Sequence, residues 1–64
     1  MKTYSSREVI QILIADGWYY VSQEGSHRHY KHKEKQGKAT VPHPKKQIPI
    51  RTLKNIERQT GLKF

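Results

Sequence analysis

The chain contains no cysteine, and at 64 residues that absence constrains its folding more than any other feature. A domain of this size buries only about 60% of the surface its unfolded chain exposes. Disulfides, a structural metal or a partner usually help such small cores. Without thiols, disulfides and thiolate zinc sites are both excluded. The fold must come from one small apolar core, and a partner that binds only the folded state would add stability by mass action. A single domain over residues 1–64 is the expectation.

Local signals then set the order of elements. Ser5 and Glu8 have capping-box spacing, and Tyr4 and Val9 occupy the two positions of a hydrophobic staple. Val9 and Leu13, flanked by Ile10 and Ile12, define a face to be buried, with Ile14 at its exposed edge. Asp16-Gly17 closes this helix, over about residues 6–16, because glycine takes the left-handed conformation needed there. Residues 18–23 are aromatic and β-branched, which suits a strand, and Glu24-Gly25 signals a hairpin turn. The returning strand, residues 26–32, alternates: Arg28 and Tyr30 point one way, His27, His29 and Lys31 the other. A polar turn over 33–37 leads to a third strand, 38–41, stopped by Pro42. Residues 43–47 form a loop. Pro49 suits the first turn of a second helix, in which Ile50, Leu53 and Ile56 recur at helical spacing and Gly61 ends the run.

The fold class is α+β, in the order α-β-β-β-α: a three-stranded antiparallel sheet with two helices on one face. If Trp18, Tyr20 and Tyr30 face the helices, His27 and His29 lie on the open face and His32 on the other.

Thirteen Lys and Arg against five Asp and Glu leave a formal charge of +8. Such an excess is the electrostatic footprint of a chain that meets polyanions, nucleic acid being the commonest. The N-terminal M-K-T-Y-S-S is not followed by the apolar run of a signal peptide. The most apolar stretch, residues 9–15, is too short to span a membrane. A cytoplasmic protein without membrane association is expected.

Three of the four histidines fall in E-G-S-H-R-H-Y-K-H, residues 24–32. Metal ligation is poorly supported, because His27 and His29 have only Glu24 and Glu34, in turns, as further candidate ligands. No metal and no cofactor are expected. Acid–base chemistry is the second reading: imidazole exchanges a proton near neutrality, and RNA carries its own nucleophile, the 2′-hydroxyl. A base, an acid and cationic groups for the phosphate would suffice. Gly25 and Ser26 beside His27, with Lys33 and Lys35 in the following turn and Lys45 and Lys46 in the loop, supply those ingredients, and His29 and Lys31 are further candidate phosphate contacts. The third reading, polar side chains on a wet strand face, is the one that spacing alone favours.

The run P-H-P-K-K at 42–46 is either a stiffened loop that holds Lys45 and Lys46 against phosphates or a solvated linker. Trp18, Tyr19 and Tyr20 could stack on bases, although such a run more often divides between core and surface.

Taken in order, D-G-W at 16–18, G-S-H at 25–27, Tyr30 with His32, V-P-H-P-K-K at 41–46, T-L-x-x-I at 52–56 and Q-T-G-L at 59–62 resemble the HicA toxins. The resemblance covers almost the whole chain, with Ser22 and Arg51 departing from the family's usual residues. It implies a double-stranded-RNA-binding-domain-like fold and an mRNA interferase of a type II toxin–antitoxin system, with His27 as the catalytic residue. It also implies a HicB antitoxin that covers the site in a hetero-oligomer, and contact with operator DNA only indirectly, through that antitoxin. A non-catalytic RNA-binding module is the alternative that charge and fold type alone would support.

Overall fold

The computed structural model describes residues 2–64; Met1, included in the expected 1–64 domain, lies outside the described residues. Five elements follow in the expected order: α1 (Ser6–Ala15), β1 (Trp18–Glu24), β2 (His27–His32), β3 (Lys38–Pro42) and α2 (Ile50–Thr60). The strands lie in the order β1-β2-β3, antiparallel throughout.

α1 begins in a complete capping box. The Ser5 hydroxyl accepts from the Glu8 amide at 3.1 Å, and the Ser5 amide donates to Glu8 Oε1 at 2.8 Å. This satisfies two donors that the first helical turn leaves orphaned. At the other end the chain turns through Gly17, whose φ is +103°. α2 ends on Gly61 in the left-handed conformation, with φ +77°.

One apolar cluster joins both helices to a single face of the sheet: Val9, Ile10 and Leu13 from α1, Leu53 and Ile56 from α2, and Trp18, Tyr30, Ala39 and Val41 from the strands. These side chains bring together segments distant in sequence, and their removal from water is the main favourable term in folding. Tyr4, Leu62 and Phe64 pack around the rim.

Several details depart from the expected pattern. Tyr20 pairs with Tyr30 and so shares the helix-side face, yet it is exposed. It lies on the edge strand, with the Tyr30 ring 6.2 Å away and the Arg28 guanidinium 5.2 Å from its centroid. Pro49 precedes α2 as its capping residue instead of entering the first turn. Ile50 is consequently exposed, and Ile48, two residues earlier, fills the core position. A register shift between Tyr20 and Ser22 leaves Val21 as an extra residue in β1, the arrangement of a β-bulge. The hairpin turn is Gly25-Ser26, one residue later than the sequence signal, and β2 begins at His27.

Candidate functional site

The β1–β2 hairpin tip organises the site. Gly25 turns the chain with φ +58°, and the last rung of the hairpin pairs Glu24 with His27. On its other side His27 pairs with Pro42, and His29 with Thr40. Pleating puts His27, His29, Lys31 and Glu24 on the open face and Arg28, Tyr30 and His32 on the helix side.

The four imidazoles then separate by their partners. His32 is structural: its Nε2 donates to the Asp16 carbonyl at 2.7 Å while its Nδ1 accepts from the Glu34 and Lys35 amides at 3.0 and 3.2 Å. His43 reaches Ser6 Oγ through Nδ1 at 2.8 Å, on the helix side. His29 is held at both nitrogens, with Nδ1 3.0 Å from Thr40 Oγ1 and Nε2 3.2 Å from Glu24 Oε1. His27 is exposed, and among the described residues it is the imidazole without a hydrogen-bond partner. Spacing could not separate His27 from His29; the hydrogen bonds do.

The backbone of the His43–Lys46 loop is docked, while Pro44, Lys45 and Lys46 remain exposed. The His43 amide donates to the Ser26 carbonyl at 2.7 Å, continuing the β2–β3 ladder past Pro42. Gln23 Nε2 donates to the carbonyls of Gly25 at 2.9 Å and His43 at 3.1 Å, and its Oε1 accepts from Arg28 Nε at 2.9 Å. Buried Ser6 completes the clamp: its amide donates to the Lys45 carbonyl and its hydroxyl accepts from the Lys45 amide, both at 2.9 Å. An open groove of about 470 Å³ runs between Arg7 and the Lys45–Lys46 pair.

The expected site residues therefore divide between two sides of one tip. Gly25, Ser26 and His27 form the tip itself; His29 and Lys31 continue along the open face; Lys45 and Lys46 approach beside the start of α1. Sequence reading missed Gln23 and Ser6. A glutamine at the end of a strand and a serine inside a first helical turn carry no local signal of contacts made 20 and 39 positions away.

Two carboxyl groups are perturbed. Asp16 is held below the ordinary carboxylate range, first by the hydrogen bond from Lys35 Nζ at 2.6 Å and also by Trp18 Nε1 at 3.2 Å. Glu8 is lowered chiefly by the backbone hydrogen bond from Ser5 within the capping box. Both brace α1 and stand apart from the tip. Among the described residues no group of three or more His, Cys, Asp or Glu side chains is placed to hold a metal ion. Among the described residues, too, no helix is long and apolar enough to cross a membrane.

Comparison with known proteins agrees with this geometry at the level of family. No curated protein matched the chain. The family model described as the HicA toxin of bacterial toxin–antitoxin systems matches residues 6–62, a span that runs from the first residue of α1 past the end of α2 and includes the whole hairpin tip. On that match the chain belongs to the HicA toxin family.

Proposed function

We propose that this toxin is an mRNA interferase, an endoribonuclease in which residues 1–64 act as one domain and His27 moves a proton during attack of the RNA 2′-hydroxyl on phosphorus. The observation that carries this reading is the exposed, unpartnered imidazole of His27, beside a glycine-containing turn, while the other three rings are tied to the fold. Gly25 and Ser26 position the phosphate, which can approach closely where glycine has no side chain. His29, Lys31, Lys45 and Lys46 add cationic or polar contacts along the backbone of a strand passing around the tip. The +8 charge favours capture of RNA before any chemistry occurs.

In this reading the toxin works in the cytoplasm on mRNA, needs no cofactor, and is neutralised by a HicB-type antitoxin in a toxin–antitoxin hetero-oligomer. Contact with operator DNA comes only through that antitoxin.

Induced expression with and without a co-expressed antitoxin, wild type beside His27→Ala, tests the proposal through growth and mRNA integrity. General acid–base catalysis contributes about 10²–10⁴-fold, so His27→Ala should lose cleavage by a factor in that range while keeping its fold and antitoxin binding. Purified protein should cleave in EDTA and leave 2′,3′-cyclic phosphate or 3′-phosphate ends. Unchanged cleavage in His27→Ala would remove the mechanism. Salt-sensitive RNA binding with no cleavage by wild type would instead establish a non-catalytic RNA-binding module.

A further inference from the structure

Moving a proton off the 2′-hydroxyl and another onto the leaving 5′-oxygen takes two groups, and His27 is one. His43 is an unsuitable second, because its ring lies on the helix side, against Ser6. His32 is occupied at both nitrogens beneath Gly17. On the open face the residue directly across from His27 is Glu24, its partner in the last rung of the hairpin. Directly opposed residues in an antiparallel pair have Cβ atoms about 4.5–5.5 Å apart, a separation over which one phosphodiester can touch both side chains.

Glu24 is also held. Its Oε1 lies 3.2 Å from His29 Nε2, and the far nitrogen of that ring meets Thr40 Oγ1 at 3.0 Å. The Glu24 side chain is 83% exposed and that of His29 only 12%, so a shielded imidazole fixes an accessible carboxylate. As a surface ion pair this contact would contribute little to stability. As an orienting contact it has a clear use, because oriented catalytic groups raise rate by avoiding reorganisation. Lys31 and Lys38 line the same face and would offset the repulsion between a carboxylate and an RNA phosphate.

We propose, resting on the reading of His27 above, that Glu24 is the second catalytic residue of RNA cleavage and that His29 is a positioning residue that holds it. The Glu24 carboxylate takes the 2′-hydroxyl proton as the 2′-oxygen bonds to phosphorus. The bond from phosphorus to the 5′-oxygen breaks, and protonated His27 gives its proton to that leaving oxygen. The products are a 2′,3′-cyclic phosphate and a 5′-hydroxyl; Glu24 then returns its proton to solvent and His27 regains one. Rate should fall on the acidic side as Glu24 becomes protonated and on the alkaline side as His27 loses its proton. The other titratable groups on this face are Tyr19, the partner of Lys31 in the hairpin, together with His29, Lys31 and Lys38.

The test is the pH–rate profile for cleavage of a mixed-sequence single-stranded RNA transcript by wild type, Glu24→Gln, Glu24→Asp, His29→Gln and His27→Ala, with RNA affinity measured alongside. Glu24→Gln should slow cleavage at neutral pH about 100-fold or more, lose the acidic limb and bind RNA no more weakly than wild type. Glu24→Asp should restore part of the rate together with the limb. His29→Gln should lower the rate by a smaller factor and keep both limbs. Cleavage by Glu24→Gln within threefold of wild type, with the acidic limb intact, would overturn the role of Glu24 while leaving His27 standing. An acidic limb lost in His29→Gln but kept in Glu24→Gln would overturn it equally. Full activity in His27→Ala, or no cleavage by wild type, would instead overturn the reading on which this proposal rests.

Discussion

The imidazole of His32 sits directly over Gly17: a Cβ added at Gly17 would lie 2.7 Å from His32 Nε2, the atom that donates to the Asp16 carbonyl. The junction between α1 and β1 therefore needs glycine twice, for its φ of +103° and for the space the ring occupies. The same ring packs edge-on against Trp18, with centroids 5.3 Å apart, so the end of the hairpin far from the tip is locked to the core.

Gly17→Ala should therefore be costly. A non-glycine residue at positive φ costs about 1–3 kcal/mol, and here displacement of His32 adds to it. Gly37→Ala is the natural control, since Gly37 has φ +80° but nothing within 4 Å of the added carbon. Thermal unfolding should show a larger loss for Gly17→Ala than for Gly37→Ala; each kcal/mol corresponds to roughly 4–8 °C in a domain of this size. Equal losses would mean that the His32 ring yields freely.

Acid should weaken the fold through Asp16. Its carboxyl titrates lower in the folded chain than in the unfolded one, chiefly because of Lys35, so the unfolded state binds more protons as pH drops. The associated stability is fully present above about pH 5 and is lost progressively as pH falls below about 4. Lys35 also donates to the Thr60 carbonyl at 2.9 Å, tying the end of α1 to the end of α2. The difference in melting temperature between wild type and Lys35→Met should thus narrow from pH 7 to pH 3. A constant difference would assign the stabilisation to the Thr60 hydrogen bond alone.

Ser6→Ala should loosen the His43–Lys46 loop. It removes a buried hydroxyl that partners both His43 Nδ1 and the Lys45 amide. Leaving a buried partner unsatisfied costs about 1–3 kcal/mol. Denaturant unfolding measures the loss, and faster hydrogen exchange at the Lys45 amide would place it in the loop.

Neutralising the loop lysines should act on affinity rather than on chemistry. In a His27→Ala background, where the RNA stays intact, Lys45→Gln with Lys46→Gln should weaken binding. The salt slope should shrink by about 0.7 for each phosphate of a single strand that the protein no longer neutralises. An unchanged slope would show that RNA does not pass along the groove beside α1.

The order of elements was legible in the sequence because each carries its own local cause. Ser5 and Glu8 mark a helix start, Gly17 and Gly61 mark helix ends, and alternation marks β2. The errors fell where neighbours in space decide. Periodicity cannot tell that Ile48 rather than Ile50 enters the core, because that depends on where Pro49 lets α2 begin. Nor can it show that Tyr20, on the correct face, lies on an edge strand at a position left exposed.

For the site, the residues alone determined a cysteine-free basic chain with several imidazoles beside a turn, and left three uses for them open. The resemblance at G-S-H pointed to His27, and the tertiary structure shows which of the rings have hydrogen-bond partners. Strand pairing sets which side chains share a face, and hydrogen bonds between residues far apart in sequence set which nitrogens are occupied. Ser6 takes His43, Asp16 takes His32, and Thr40 with Glu24 takes His29. A hydrogen bond across 37 positions has no local signature in a chain, so the partners that occupy the other three rings are visible only in the folded molecule.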